Sequence, residues 1–316
     1  MKFSISQLSR QGGRRNNQDR MAYCYSKDAL LMVVADGLGG HGHGEIAAQV
    51  AVQFLTDAFR KQSIPRLGDP LRFLHDSLYC AHTAIDAYSA KHALESVPRT
   101  TCVACVVQNN AAYWGHAGDS RLYLFRNGKL FARTKDHSLV QTLVDSGELD
   151  ESRAGDHPER NRIYSCLGGP VPPQVTLSGK ITLHQGDILL MSTDGLWSTV
   201  ATQEMAAVLD VYPIDEAVTE LLDFAELRGG ADGDNLTAIG MAWGRQDKPS
   251  RAKPVSTGDA APDGFTTLIG GFGKSGPIEY SEEDMEKAIA DIQTALKTYR
   301  NKWGEGRAPA KGKKAE

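Results

Sequence analysis

Five aspartates of this chain lie at the ends of apolar, strand-like runs and among small residues. They are Asp19 (NNQD), Asp36 (VVADG), Asp119 (HAGDSR), Asp194 (LLMSTDG) and Asp234 (ADGDN). One such aspartate usually forms a turn or caps a helix. Several in one domain predict convergence on a pair of divalent cations, because crowded carboxylates repel one another unless metals neutralise them. Two metals about 4 Å apart can polarise a phosphoryl oxygen and deprotonate a bridging water near neutral pH.

The stretch LLMVVADGLGGHGHG, residues 30–44, carries one of these aspartates in an informative context. A continuous apolar run, typical of a strand covered on both faces, leads into Asp36. Five glycines follow before a helical pattern begins at Glu45. Because Gly37 has no side chain, the backbone carbonyl there can approach a ligand closely, and carboxylate and carbonyl oxygens suit Mg²⁺ or Mn²⁺. A solvated Asp-Gly turn explains this stretch alone equally well.

A phosphate dianion in such a site also needs an anchor. The planar fork of an arginine pairs with two phosphate oxygens, and Arg14 and Arg15 stand shortly before Asp19. The residues themselves therefore predict metal-assisted phosphate hydrolysis and leave the substrate open.

The composition is that of an ordinary water-soluble protein. The 316 residues are 41% hydrophobic and 23% charged, with a net charge of -4. This balance gives no electrostatic reason to expect nucleic acid or an anionic membrane as a partner. No apolar run approaches the roughly 20 residues that span a bilayer, and the start of the chain lacks the apolar core of a signal peptide. We expect a cytoplasmic protein.

The five cysteines are odd in number and scattered, which argues against a disulfide framework. Cys102 and Cys105 are three residues apart in a strand-like run, where they point to opposite faces, and no second pair accompanies them. We expect core cysteines rather than a zinc or redox site.

Strand-like runs predominate, and the helices come as sequential pairs. One helical pattern follows Glu45 and another runs from Leu71 to about Lys91; the second pair covers about Thr202–Leu209 and Asp215–Leu227. Alternating βαβ crossovers are not the pattern. The sequence therefore predicts an α+β fold with antiparallel sheets.

The C-terminal part differs in composition from the domain that we expect over residues 1–245. Residues 246–280 are rich in Gly, Pro, Ser, Lys and Asp, as linkers are. A capping-box pattern opens an amphipathic helix over 281–303. This helix either docks a partner, folds back over the domain, or only adds stability. Residues 304–316 are predicted to form a basic, disordered tail.

Seven segments in this order resemble those of one family. They are RRNNQD (14–19), VADGLGGH (34–41), RTT (99–101), GDSR (118–121), NRIYSCLG (161–168), STDGLW (192–197) and GDNLT (233–237). Together they are similar to the metal-dependent serine/threonine protein phosphatases of type 2C, bacterial branch, over about residues 3–243. The resemblance implies a four-layer αββα sandwich, with two antiparallel sheets flanked by helix pairs. It also implies hydrolysis of phosphoserine and phosphothreonine by direct attack of a metal-activated water.

The resemblance further implies a set of metal ligands. Asp36 would bridge two ions, Mg²⁺ or Mn²⁺, and the Gly37 carbonyl would bind one of them. Asp194 and Asp234 would complete the shell of the other ion. Asp119 would share a third, weaker ion with Asp194.

The remaining implied roles concern water, phosphate and protons. Asp19 belongs to the metal site through the waters that it orients, including the nucleophile, and Arg14 would hold the substrate phosphate. Gln18 stands where many members carry glutamate, so we expect weaker metal affinity with retained activity. His41 is a candidate proton donor to the leaving serine oxygen, but the roles of metal ligand and polar loop residue stay open for it and for His43.

Three functions remain open at this point. The first is a phosphatase of phosphoserine and phosphothreonine proteins that opposes a partner kinase. The second is a non-catalytic phosphoprotein-binding module on the same fold, and the third is a partner-switch phosphoserine phosphatase of the same superfamily. The intact acidic set favours the first. His116 and His137 are assigned to packing or surface hydrogen bonding.

Overall fold

The apolar runs of the sequence form strands. The first predicted helix pair follows the strand that ends at Ala35, and the second precedes the strand that begins at Leu236. The computed structural model describes residues 1–39, 43–150, 153–154, 157–244, 255–257 and 266–270, all within a unit that spans Met1–Pro277. Its strands are β1 (Lys2–Arg10), β2 (Arg20–Tyr25), β3 (Ala29–Ala35), β4 (Cys102–Gln108), β5 (Ala111–Ala117), β6 (Arg121–Arg126), β7 (Lys129–Arg133), β8 (Thr176–Leu177), β9 (Ile181–Thr182), β10 (Ile188–Ser192), β11 (Leu236–Trp243), β12 (Val255–Ser256) and β13 (Thr266–Gly270). Its helices are α1 (Gly44–Gln62), α2 (Pro70–Lys91), α3 (Leu139–Asp145), α4 (Asp194–Trp197), α5 (Thr202–Val211) and α6 (Ile214–Gly229).

The strands form two antiparallel sheets. The first has the order β12-β1-β11-β10-β6-β7, and the second has the order β13-β2-β3-β4-β5-β8, with β9 also paired to β5. One buried cluster contains side chains of both sheets, such as Met32 and Val34 of the second and Met191 and Met241 of the first. The apolar faces of the sheets therefore pack on each other.

The helix pairs cover the outer faces. The first pair, α1 and α2, contacts β2, β3 and β5 of the second sheet, and α6 contacts β1 and β11 of the first. Leu196, Val218 and Leu221 belong to a second buried cluster with Tyr123 and Leu190 of the first sheet. The predicted four-layer αββα sandwich is confirmed.

The strand register brings the ends that carry the aspartates to one end of the sandwich. Arg20 pairs with Ala35, so Asp19 and Asp36 lie just beyond neighbouring strand ends of the second sheet. In the first sheet Ser192 pairs with both Arg121 and Ala238, which places the loops of the other three aspartates at the matching end.

The cysteine prediction is also confirmed. Cys102 and Cys105 are fully buried in β4 and form no disulfide. Burial raises the pKa of both thiols, which leaves them neutral and unreactive.

The described residues between 246 and 280 include two strands that the sequence pattern did not predict. Val255–Ser256 pairs with β1, and Thr266–Gly270 pairs with β2 along all five residues. Both are short and are flanked by Gly, Pro and Asp, so their apolar pattern is too brief to stand out. The predicted helix over 281–303 and the tail over 304–316 lie outside the described residues. No helix in the described part of the chain is long and apolar enough to cross a membrane.

Candidate metal centre

Asp36 and Asp194 come from different sheets and meet at the end of the sandwich. Their carboxyl groups are close enough to affect each other's ionisation. Burial raises the pKa of both, that of Asp194 to about 6, and the neighbouring carboxylates raise that of Asp36 further. The backbone of Asp36 is held from two sides, because its N–H donates to Thr101 Oγ1 (3.2 Å) and its carbonyl accepts from Thr100 Oγ1 (2.8 Å). The RTT segment thus fixes the position of this aspartate.

Asp19 lies deeper, with its side chain almost fully buried. Thr193 Oγ1 donates to its Oδ2 at 2.9 Å, whereas its Oδ1 is buried without a hydrogen-bond partner. Burial raises the pKa of Asp19 to about 7, and the charges of Asp194 and Asp234 add to the shift. An acceptor buried in this way calls for a cation or for waters that a cation holds.

Asp119 is also buried and lies close enough to Asp194 to feel its charge. Burial, together with the charges of Asp194 and Asp136, raises the pKa of its carboxyl well above the ordinary value. The indole Nε1 of Trp197 donates to the Asp119 carbonyl at 3.0 Å, and Arg121 stacks over the indole at 3.6 Å from the ring centroid. These contacts hold the Asp119 loop against α4.

The sequence predicts that Arg14 binds the substrate phosphate and that Asp234 binds a metal ion, but in this structure the two side chains bind each other. The guanidinium donates from Nε to Oδ1 at 2.9 Å and from Nη2 to Oδ2 at 2.7 Å. Arg14 therefore contacts a predicted metal ligand rather than an open phosphate site. Its side chain is 58% exposed, so this ion pair is weak, and a competing phosphate or cation separates it at small cost.

The donor set fits divalent cations. All of these side chains offer oxygen, which Mg²⁺ and Mn²⁺ prefer. Within the described ranges no three His, Cys, Asp or Glu side chains are grouped so that they hold one ion together. Mg²⁺ does not require such a group, since it keeps several waters and is bound through one or two carboxylates. Asp19 has an unpartnered buried Oδ1, and burial together with neighbouring carboxylates raises the pKa values of Asp36 and Asp194. Divalent cations would stabilise carboxylates in such surroundings.

Gly37 is required for a reason that the sequence did not indicate. A Cβ atom at this position would lie 2.4 Å from the carbonyl carbon and oxygen of Gly44, at the start of α1. The absence of a side chain therefore allows the strand end to pack against the helix. Its role as a metal ligand stays a prediction.

Gln18 is paired with a carboxylate rather than standing alone. Its Nε2 donates to Glu45 Oε2 at 3.0 Å, in the first turn of α1. Among the described residues that flank this site, His43 precedes α1 with a left-handed backbone (φ 56°) and lies 3.8 Å from Glu45. His41 lies outside the described residues.

Gln18→Glu is expected to increase metal affinity and to destabilise the metal-free protein. The substitution replaces an amide donor with a second carboxylate beside Glu45, which attracts cations and repels its neighbour when no cation is bound. We expect the Mn²⁺ concentration for half-maximal activity to fall about fivefold, and the urea midpoint after metal removal to fall as well.

The double variant Gln18→Glu/Glu45→Gln provides the matched control. It restores one amide and one carboxylate with reversed positions, so the stability of the metal-free protein should return towards that of the wild type. An unchanged metal requirement in Gln18→Glu would contradict the role assigned to residue 18.

His137 is a site residue that the sequence analysis missed. Of the two roles expected for it, packing or surface hydrogen bonding, the structure shows packing, because His137 is buried and its ring stacks on His116 at 4.5 Å between centroids. Its Nδ1 accepts from the Gly118 N–H (3.2 Å), and its own N–H donates to the Gly118 carbonyl (3.0 Å). Its carbonyl accepts from the Tyr164 N–H at 2.9 Å. His137 therefore connects the Asp119 loop to residues 162–164. In the sequence, the only sign of this role is that His137 stands among polar residues.

His137→Gln is expected to lower metal affinity at Asp119, because glutamine loses the acceptor at the Nδ1 position. His137→Asn keeps an acceptor there and should largely rescue the loss. Supporting groups of this kind contribute about 10- to 100-fold in metal affinity or activity. Calorimetric Mn²⁺ titration and kcat measure the effect. Equal behaviour of the two variants would refute the positioning role.

The fold and the acidic cluster together define a class of protein. A four-layer αββα sandwich whose two sheets converge on an oxygen-only cluster is the arrangement of a metal-dependent phosphatase. Residues 8–231 match the model of a family described as protein phosphatase 2C. The chain belongs to this family, which is metal-dependent.

Individual relatives agree with the family match. A putative protein phosphatase 2C-type of Streptococcus pyogenes is 31% identical over 228 residues, which cover 72% of this chain and 92% of that protein. The serine/threonine phosphatase of S. agalactiae has a structure with TM-score 0.69 and 31% identity, covering 76% of this chain and 99% of that one. The catalytic domain of PstP, solved in complex with two manganese ions, has TM-score 0.64 and 31% identity, covering 76% and 98%. The predicted enzyme class, a serine/threonine protein phosphatase, is confirmed.

Proposed function

We propose that this phosphatase hydrolyses phosphoserine and phosphothreonine in proteins by direct attack of water, without a phosphorylated enzyme. Asp36, Asp194 and Asp234, with the Gly37 carbonyl, would hold two Mg²⁺ or Mn²⁺ ions. Asp119 would share a third, weaker site with Asp194. When bound, such ions lower the pKa of a water and polarise a phosphoryl oxygen.

One observation carries this proposal. Four aspartates from four separate segments, Asp19, Asp36, Asp119 and Asp194, come together with raised pKa values, and burial is the first cause in each. A fold stabilised only by its core has no reason to concentrate carboxylates in this way. A binding module that lacks catalysis has no need of them either, which favours the enzyme over the non-catalytic alternative.

The roles of the chain's own groups follow from their contacts. Asp19, fixed by Thr193, presents a free buried oxygen that can orient a water. Arg14 is exposed and holds its fork towards the same cluster through Asp234. A substrate phosphate, which carries more charge than a carboxylate, is expected to displace Asp234 from this fork.

The test is hydrolysis of matched phosphoserine, phosphothreonine and phosphotyrosine peptides in Mn²⁺. The first two are expected to be the better substrates. Acid quench of a single turnover with radiolabelled phosphopeptide should leave no label on the protein. Protein-bound phosphate, or an initial burst of dephosphorylated peptide, would overturn direct attack by water.

Partners and the C-terminal segment belong to the proposal as well. We expect the substrates to be proteins phosphorylated by a serine/threonine kinase in the same cytoplasm, and the segment over 281–303 to dock a partner. Truncation after Pro277 keeps both β12 and β13, so it tests partner docking by the segment over 281–303 separately from hydrolysis of the substrate. Unchanged partner binding after this truncation would leave the segment without a docking function.

A further inference from the structure

Thr101 lies between two of the segments that carry the buried aspartates. Its N–H donates to the Asp36 carbonyl at 2.9 Å, and its Oγ1 accepts from the Asp36 N–H at 3.2 Å. The same Oγ1 lies 2.7 Å from Oγ of Ser120, the residue that follows Asp119. A hydroxyl group donates once and accepts twice, so one oxygen serves both contacts. Two hydroxyl groups therefore connect the backbone of Asp36 to the segment of Asp119.

The packing around this pair of hydroxyl groups is close. Thr101 is fully buried, and Ser120 is 1% exposed. A Cβ atom at Gly118 would lie 2.6 Å from Cβ of Thr101, so the backbone before Asp119 rests directly against the threonine. A buried hydroxyl that loses its partner is costly, because water does not reach it. The hydrogen bond between Thr101 and Ser120 therefore favours a fixed distance between the two segments.

The Asp119 segment is also held from other directions. Trp197 Nε1 donates to the Asp119 carbonyl, and His137 Nδ1 accepts from the N–H of the residue before Asp119. These contacts lead to α4 and to the segment before α3, whereas the Ser120 hydroxyl leads towards Asp36. Burial is the first cause of the raised pKa of Asp36, and the negative charge of Asp119 adds to it, so the two carboxylates repel each other. The hydroxyl pair opposes the separation that this repulsion favours.

We propose that Thr101 and Ser120 are positioning residues that hold the segments of Asp36 and Asp119 at a fixed separation. Both aspartates then keep the orientation that a divalent cation needs, and loss of the link weakens cation binding at both. This inference rests on the proposed function, which assigns Asp36 to the pair of ions and Asp119 to a third, weaker ion. It adds that both positions depend on one buried hydrogen bond.

The experiment is a calorimetric Mn²⁺ titration of the full-length protein after removal of divalent cations. Asp119→Asn identifies the weaker binding step, because that step should be lost in this variant. Thr101→Val removes the hydroxyl at nearly unchanged volume, and Ser120→Ala removes its partner. Each is expected to weaken both the stronger and the weaker step, by about tenfold or more. Thr101→Ser keeps the hydroxyl and should retain most of the affinity.

Ser120→Ala is the decisive variant, because Ser120 adjoins Asp119 and is linked to Asp36 through Thr101. A purely local role predicts a loss in the weaker step alone, and this result would overturn the inference. The double variant Thr101→Val/Ser120→Ala should lose no more affinity than the worse single variant, because both substitutions remove the same hydrogen bond. Additive losses, or equal behaviour of Thr101→Ser and Thr101→Val, would also overturn it.

Thr56→Val is the matched control. Thr56 is almost fully buried in α1, and its hydroxyl donates to the carbonyls of Val52 and Gln53 in the same helix. This variant should leave both binding steps unchanged, and cooperative urea unfolding before the titration shows that each variant is folded. A wild-type titration without a step that Asp119→Asn removes would overturn the inference and leave the proposed function standing. A wild type that neither binds Mn²⁺ nor hydrolyses phosphopeptides would contradict both.

Discussion

Asp194→Asn is expected to lower kcat for a phosphothreonine peptide by on the order of 10²-fold or more and to stabilise the metal-free protein. The loss follows because an amide oxygen holds a divalent cation less strongly than a carboxylate. The gain follows because burial and the charge of Asp234 raise the pKa of Asp194 to about 6. At pH 7.5 the ionised group therefore lowers the free energy of unfolding by roughly 3 kcal/mol. Asp36→Asn should act in the same two directions.

Measurements of kcat, and urea unfolding after dialysis against a chelator, test both parts. Asp223→Asn is the control, because Asp223 is an exposed partner of Arg10 at 2.6 Å and is not one of the residues assigned to the metal centre. This variant should leave kcat unchanged and should not increase the stability of the metal-free protein. Full activity of Asp194→Asn, or a lower stability of the metal-free variant, would contradict the assignment.

Removal of divalent cations is expected to reduce turnover by on the order of 10³-fold or more, with recovery on addition of Mn²⁺ or Mg²⁺. The same removal should lower stability, by about 2.7 kcal/mol for each ion present at 100 times its dissociation constant. Thermal unfolding with and without Mn²⁺ measures this second effect independently of activity. Full turnover in the presence of a strong chelator would refute the metal centre.

The pH dependence of that stabilisation has a definite sign. Burial raises the pKa of Asp19 to about 7 and that of Asp194 to about 6. A raised carboxyl pKa favours the folded state at low pH, and this contribution is lost as the pH rises through about 6 to 7. Cations compete with protons for the same oxygens, so their effect grows over the same range. The gain in Tm from Mn²⁺ should therefore be larger at pH 8 than at pH 5.5, and a gain independent of pH would contradict this reasoning.

The fold and the convergence of the aspartates were predictable because both depend on periodic or repeated patterns. Apolar runs that end in Asp36 and Asp194 indicate strands and their ends, and sequential helix pairs indicate antiparallel sheets. The strand register that brings these two strand ends together pairs Arg20 with Ala35 and Ser192 with Arg121. This register can be known only when the complete fold is known. The resemblance supplied that fold from the order of the motifs.

The contacts that the sequence could not predict join residues far apart in the chain through single side chains. Arg14 binds Asp234 across 220 residues, and Gln18 binds Glu45 across the glycine-rich loop. No periodicity marks such pairs. His137 was missed for a related reason, since its importance lies in a bond to the backbone of Gly118, whose partner the sequence does not reveal.

The division of the acidic residues between the two layers has a mechanical consequence. Asp19 and Asp36 extend from the second sheet, whereas Asp194 and Asp234 extend from the first, and the buried cluster around Met32 and Met241 packs the two sheets together. Ions bound by residues of both sheets would link the two sheets to each other. A large-to-small substitution in the buried interface between the sheets, far from any substrate, should therefore weaken metal binding, so that core packing sets the metal affinity.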